Sequence, residues 1–118
     1  MSDRFDLIVR KSDDVGILET EGYLNNLGAE MVSDACADLI DGGIQNIVVN
    51  LKKSRIVTSI GISILIEVLL RIQELNGVAA FCSVTPTVAK TFQIMGLLNA
   101  SKIFDSETEA IEALAAIT

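Results

Sequence analysis

Two short runs, Ile44 to Leu51 and Val78 to Cys82, have almost no polar face. In the first, Ile44, Ile47, Val48, Val49 and Leu51 are interrupted only by Gln45, Asn46 and Asn50. A strand with one wet face alternates polar and apolar residues, so a run without alternation reads as a strand covered on both sides. Covering needs helices, and helical patterns flank both runs. From Asn26 to Ile40 the apolar residues Leu27, Met31, Ala35 and Leu39 recur every four positions, with Val32, Cys36 and Ile40 beside them, until Gly42-Gly43 stops the pattern. A second helix runs to Leu75 from a start that either hydroxyl, Thr58 or Ser59, can cap, and Asn76-Gly77 ends it. Thr85 stands before Pro86 at the head of a third, which stops before Gly96, and Ser106 with Glu109 forms a capping box for a fourth.

Upstream, Phe5, Leu7 and Val9 alternate with Asp6, Ile8 and Arg10. After the turn Ser12-Asp13-Asp14, the segment Val15 to Glu21 is again rich in strand formers and ends at Gly22, which makes a β-hairpin. With a short strand near Lys102 to Phe104, the order becomes ββαβαβαβα. This predicts a single α/β domain over residues 1–118, with a small mixed sheet of four to five strands, about four helices, and an antiparallel hairpin joined to a parallel interior.

The absence of histidine removes Ser-His-Asp and Cys-His nucleophile pairs, His-ligated metals and phosphohistidine relays. Nine Lys and Arg against sixteen Asp and Glu leave a net charge of −7, which opposes binding to a phosphate backbone. With no Trp and one Tyr there is no platform for stacking bases. Cys36 and Cys82 stand singly in apolar stretches and read as small core residues. The start, Met1-Ser2-Asp3-Arg4-Phe5-Asp6, has no signal-peptide pattern. The apolar stretch Ile60 to Ile72 is broken by Ser63, Glu67 and Arg71, too charged to span a bilayer, so a cytoplasmic location is expected.

Among loops that carry chemistry, Gly22, Gly28 and Gly61 do not have the spacing of a phosphate-gripping loop. An aspartyl-phosphate receiver would need an aspartate where the central strand ends in Asn50. Asp13-Asp14 is explained by its hairpin turn. The cluster Lys52, Lys53 and Arg55 reads either as a solvated loop or as a partner patch. On the second helix the polar residues Ser59, Ser63, Glu67, Arg71 and Glu74 form a narrow stripe, with Glu67 and Arg71 spaced to pair. Its apolar excess means either deep burial or a strip left for a partner. Ser59 lies where a loop becomes a helix, near unpaired N–H groups and the positive end of the dipole, so it is either an ordinary cap or a place that welcomes a phosphate.

The segment Ile47 to Ile66 contains Ile-Val-Val-Asn-Leu and then Ile-Val-Thr-Ser-Ile-Gly-Ile-Ser-Ile-Leu-Ile. It resembles the STAS domain, the fold of bacterial anti-sigma factor antagonists, in which a central strand ending in Asp-Leu leads to Asp-Ser-Ser-Gly at a helix start. Gly22-Tyr23-Leu24-Asn25 resembles that family's Gly-x-Leu-Asp. Thr85-Pro86 and the stretch Met95-Gly96-Leu97-Leu98 to Phe104-Asp105-Ser106, with Glu109 and Ala110, look like its carboxy-terminal half.

The resemblance implies a binding switch and not an enzyme, with no cofactor, no metal and no membrane insertion. It implies that an anti-sigma factor of the serine-kinase type phosphorylates Ser59, that a PP2C-type phosphatase restores it, and that only the unmodified form binds. Thr58 is a second candidate acceptor. The implied partner surface comprises Tyr23, Leu24, Asn25, Thr58, Ile60, Gly61, Ile62 and Ile64, and a homodimer is compatible with it. Asn25, Asn50 and Thr58 stand where the family has Asp, and Ile60 replaces its second Ser, so a less negative contact rim is expected. The second reading is a phosphorylation-independent STAS scaffold, a subunit of a larger signalling or transport assembly. A third, a ligand-binding or catalytic α/β domain, lacks any paired acid, base or metal constellation.

Overall fold

The computed structural model describes residues 5–97 and 101–116. Met1 to Arg4 of the amino-terminal motif, and Leu98, lie outside the described residues. In chain order the elements are β1 (Phe5–Ser12), β2 (Val15–Gly22), α1 (Asn26–Asp41), β3 (Asn46–Lys53), α2 (Ser59–Glu74), β4 (Val78–Cys82), α3 (Pro86–Ile94), β5 (Lys102–Phe104) and α4 (Glu107–Ala115). The order and the α/β class are those read from the sequence.

One five-stranded sheet holds the strands in the order β1-β2-β3-β4-β5. β1 pairs antiparallel with β2, joined by the two-residue turn Asp13-Asp14, where Asp13 takes a φ of +52°. Every other pairing is parallel, so β3 is the central strand. Its residues Asn46 to Leu51 are all buried, as its non-alternating sequence requires.

The two sides of the sheet are covered unequally. Ile47, Val49 and Leu51 of β3 pack into the larger core with Val32 and Leu39 of α1, Ile62, Leu65 and Leu69 of α2, and Val88 and Phe92 of α3. Phe92 meets Phe81 of β4 edge-on, with ring centroids 5.2 Å apart. On the opposite face Val15, Ile17, Val48, Ala80 and Cys82 are covered by Ala110 and Leu114 of α4.

The buried face of α1 differs from the expected one. Gly28, Ala29, Val32, Cys36 and Leu39 face inward, whereas Leu27 is 64% exposed and Met31 44% exposed. The cause is close approach: a Cβ at Gly28 would lie 3.0 Å from the Phe5 ring and 3.2 Å from Leu24 Cδ1. Small residues seat the helix on the sheet, and the bulkier Leu27 and Met31 are turned outward. No helix among the described residues is long and apolar enough to cross a membrane.

Candidate functional site

The parallel strands β2 and β3 both end at the edge where α1 and α2 begin, and their exit loops are stitched together. Leu24 N–H donates to the Ile56 carbonyl and Thr58 N–H to the Leu24 carbonyl, each at 3.0 Å, on either side of a bridge between Leu24 and Val57. The β3 exit is pinned from beneath by buried hydroxyls, with Thr20 Oγ1 2.7 Å from Ser54 Oγ and 3.3 Å from the Asn50 carbonyl it donates to.

Each helix start is closed by a side chain. Asn25 Oδ1 accepts the Gly28 N–H, and Thr58 Oγ1 accepts the Gly61 N–H, both at 3.0 Å. Thr58 is therefore the cap of α2, and Ser59 is its first helical residue. Ser59 is exposed, its carbonyl accepts from Ser63 Oγ at 3.1 Å, and its own hydroxyl makes no hydrogen bond among the described residues. Gly61 permits the two starts to touch, because a Cβ there would lie 2.8 Å from the Leu24 carbonyl oxygen and 3.3 Å from that of Asn25.

The residues singled out in the sequence divide into two layers. Leu24 and Ile62 are wholly buried and Gly61 is buried, so these three shape the site from beneath and present no surface to a partner. Tyr23, Asn25, Thr58 and Ile64 are half-buried, and Ile60 is 64% exposed. Exposed apolar residues on the same stitched elements extend this layer: Ile56 of the β3–α2 loop and Leu27 and Met31 of α1. Sequence periodicity puts Leu27 and Met31 on the apolar stripe of the helix; the close approach of Gly28 to Phe5, which turns them outward, leaves no mark in that stripe.

Two shallow concavities flank these starts. One, of about 230 Å³, is lined by Gly22, Tyr23, Lys53, Arg55 and Ile56. It brings Tyr23 together with part of the basic cluster, in which Lys53 Nζ also reaches Glu19 Oε2 at 3.2 Å. The other, of about 270 Å³, lies between α1 and α2 and is lined by Ser33, Ile64, Glu67, Val68 and Arg71.

Asn50 does not belong to this rim. It extends from the sheet face covered by α4, where its Oδ1 accepts Lys52 N–H at 2.9 Å and its Nδ2 donates to Glu107 Oε1 at 3.1 Å. Glu107 also accepts from Arg10 at 2.6 Å, and Arg10 reaches Glu19 at 3.0 Å. The Arg10 guanidinium, helped by the Asn50 amide, holds the Glu107 carboxyl below its ordinary value. Lys53 first, and then Arg10, do the same for Glu19.

Neither cysteine offers a nucleophile. Burial pushes the Cys36 thiol up to about 12 and the Cys82 thiol up to about 11, so both are neutral thiols at physiological pH.

The profile of the STAS domain matches residues 6–110. A Bordetella bronchiseptica protein described as a candidate anti-sigma factor antagonist, BtrV, is 25% identical over 107 residues, covering 91% of this chain and 92% of its own. The crystal structure of a candidate anti-sigma factor antagonist from Thermotoga maritima shares the fold with a TM-score of 0.82 at 24% identity, covering 92% of this chain and 94% of that one. Bacillus SpoIIAA in its phosphorylated form superposes with a TM-score of 0.72 at 19% identity, covering 92% of this chain and 98% of that one.

Proposed function

The chain belongs to the STAS domain family, and from that footing we propose that it is an anti-sigma factor antagonist that docks through the joined starts of α1 and α2 and is released by phosphorylation of Ser59. One observation carries the reading: neighbouring hydroxyls divide the work, Thr58 closing the helix while Ser59 stands exposed one residue further on. A kinase reaching this surface finds the Ser59 hydroxyl accessible, whereas modifying Thr58 would dismantle the cap. The phosphate adds about −1.5 to −2 charge. The helix start tolerates it. A partner packed against the exposed Ile60 would have to desolvate it, which is costly without a matched cation.

In this reading the partner is an anti-sigma factor of the serine-kinase type, which supplies the phosphate from ATP, and a PP2C-type phosphatase resets the switch. The protein itself performs no catalysis and needs no cofactor. It meets its partner in the cytoplasm. In this reading the docking layer is Tyr23, Asn25, Thr58, Ile60 and Ile64 together with the exposed Leu27, Met31 and Ile56, and the buried Leu24, Gly61 and Ile62 support it from below. The exposed Lys52, Lys53 and Arg55 next to it favour a partner surface that is apolar with an acidic margin.

The test is a pull-down from lysate of the native organism with ATP, reading co-purified proteins and the phosphorylation of the peptide carrying Thr58 and Ser59. The expected result is an ATP-binding kinase of the anti-sigma type with phosphate on Ser59. Ser59→Asp should lose that kinase while keeping its melting temperature. Unaltered kinase binding by Ser59→Asp refutes the switch, and recovery of a larger assembly with Ser59 unmodified favours the scaffold reading.

A further inference from the structure

We propose that the free edge of β1 pairs with β1 of a second copy of this chain, antiparallel and centred on Ile8, to give one continuous sheet. β1 lies at the end of the sheet, with β2 on one side and no strand on the other among the described residues. Ser12 and Val15 flank a two-residue turn, and such a closing pair is mutually hydrogen-bonded. The register runs without a bulge, so Arg10, Ile8 and Asp6 also direct their backbone groups to β2. Phe5, Leu7, Val9 and Lys11 therefore direct theirs outward.

A two-fold pairing must match outward groups with outward groups, which leaves three central registers. Centring on Leu7 sets Ile8 against Asp6 of the partner subunit. Centring on Val9 sets Ile8 against Arg10 and Leu7 against Lys11 of the partner subunit. Centring on Ile8 sets Ile8 against its own copy, with Leu7 against Val9, Asp6 against Arg10 and Phe5 against Lys11 of the partner subunit, so that the three central aliphatic residues meet one another and the flanking Asp6 and Arg10 are of opposite charge. Ile8 is 47% and Val9 49% exposed, an unusual pair of aliphatic residues to leave on a strand edge. The Arg10 guanidinium leans inward over β2, where Glu19 and Glu107 hold it, and 41% of its side chain is exposed.

Sedimentation of the full chain tests the pairing. The expected result is a concentration-dependent doubling of mass that Ile8→Lys, which places two ammonium groups face to face on the axis, weakens at least about tenfold. Ile8→Cys should cross-link to its copy under mild oxidation, since the two Cα atoms of such a non-hydrogen-bonded pair lie about 4.5 Å apart. Lys11→Cys should not, its copies being roughly 20 Å apart in this register. The native Cys36 and Cys82 are buried and do not compete. A mass that stays monomeric, a dimer indifferent to Ile8→Lys, or equal cross-linking at positions 8 and 11 overturns the proposal.

Discussion

At the scale of single residues, Thr58 and Ser59 look interchangeable in the chain and are not in the fold. Removing the cap in Thr58→Ala leaves the Gly61 N–H without its partner and should cost about 1 kcal/mol in chemical denaturation. Ser59→Ala should change stability by less than about 0.5 kcal/mol, because it deletes an exposed hydroxyl. Which of two adjacent hydroxyls caps a helix was open in the sequence, since both residue types cap well and the choice depends on where the incoming strand bridge to Leu24 fixes the backbone. Asn50 was legible only as a departure from a family pattern. Its partner is Glu107, far away in the chain, and that contact explains why an amide suits the position: an aspartate would face the Glu107 carboxylate at 3.1 Å. Asn50→Asp should therefore cost about 1–3 kcal/mol at neutral pH. Protonation of one of the two carboxyls relieves the cost, so the deficit measured by denaturation should shrink as the pH is lowered.

At the scale of elements, Gly61 decides how α2 meets the turn before α1. Gly61→Ala forces the Leu24 carbonyl and the helix start apart, with an expected loss of about 1–3 kcal/mol and weakened partner binding from the displaced rim, measurable by melting and by titration calorimetry. The short α4 is held by Ala110 and Leu114 and by the ion pair of Glu107 with Arg10. Both Glu107 and Glu19 have carboxyls lowered from an ordinary value of 4.5, so they contribute stability above that value and lose it as the pH falls through the lowered folded-state values. The stability gap between the native chain and Glu107→Gln should be present at neutral pH and close on acidification. The elements themselves were readable because punctuation coincided with periodicity: Asn25, Thr58, Thr85 and Ser106 all cap where a helical pattern begins. The rotation of α1 was not, because a four-residue stripe through Leu27 and Met31 carries no record of how closely Gly28 approaches Phe5.

At the scale of the whole molecule, strand order was legible from the alternation of buried runs with helices, but the distribution of helices over the two faces was not, because each crossover helix is amphipathic whichever side it takes. Among the described residues the outcome is a sheet with α1, α2 and α3 on one face and α4 on the other. Hydrogen exchange should accordingly protect the amides of β3 most strongly and those of the short helices α3 and α4 less than those of α2, since each of the two has two buried residues where α2 has six. The completed cap at Thr58 has a consequence for the proposed switch. A phosphate on Ser59 would touch none of the bonds that close the helix, so the two forms should fold equally well and resist proteases equally. Under that proposal the amount of protein would stay constant while its message changed, the signal being a ratio of two long-lived forms instead of synthesis and destruction.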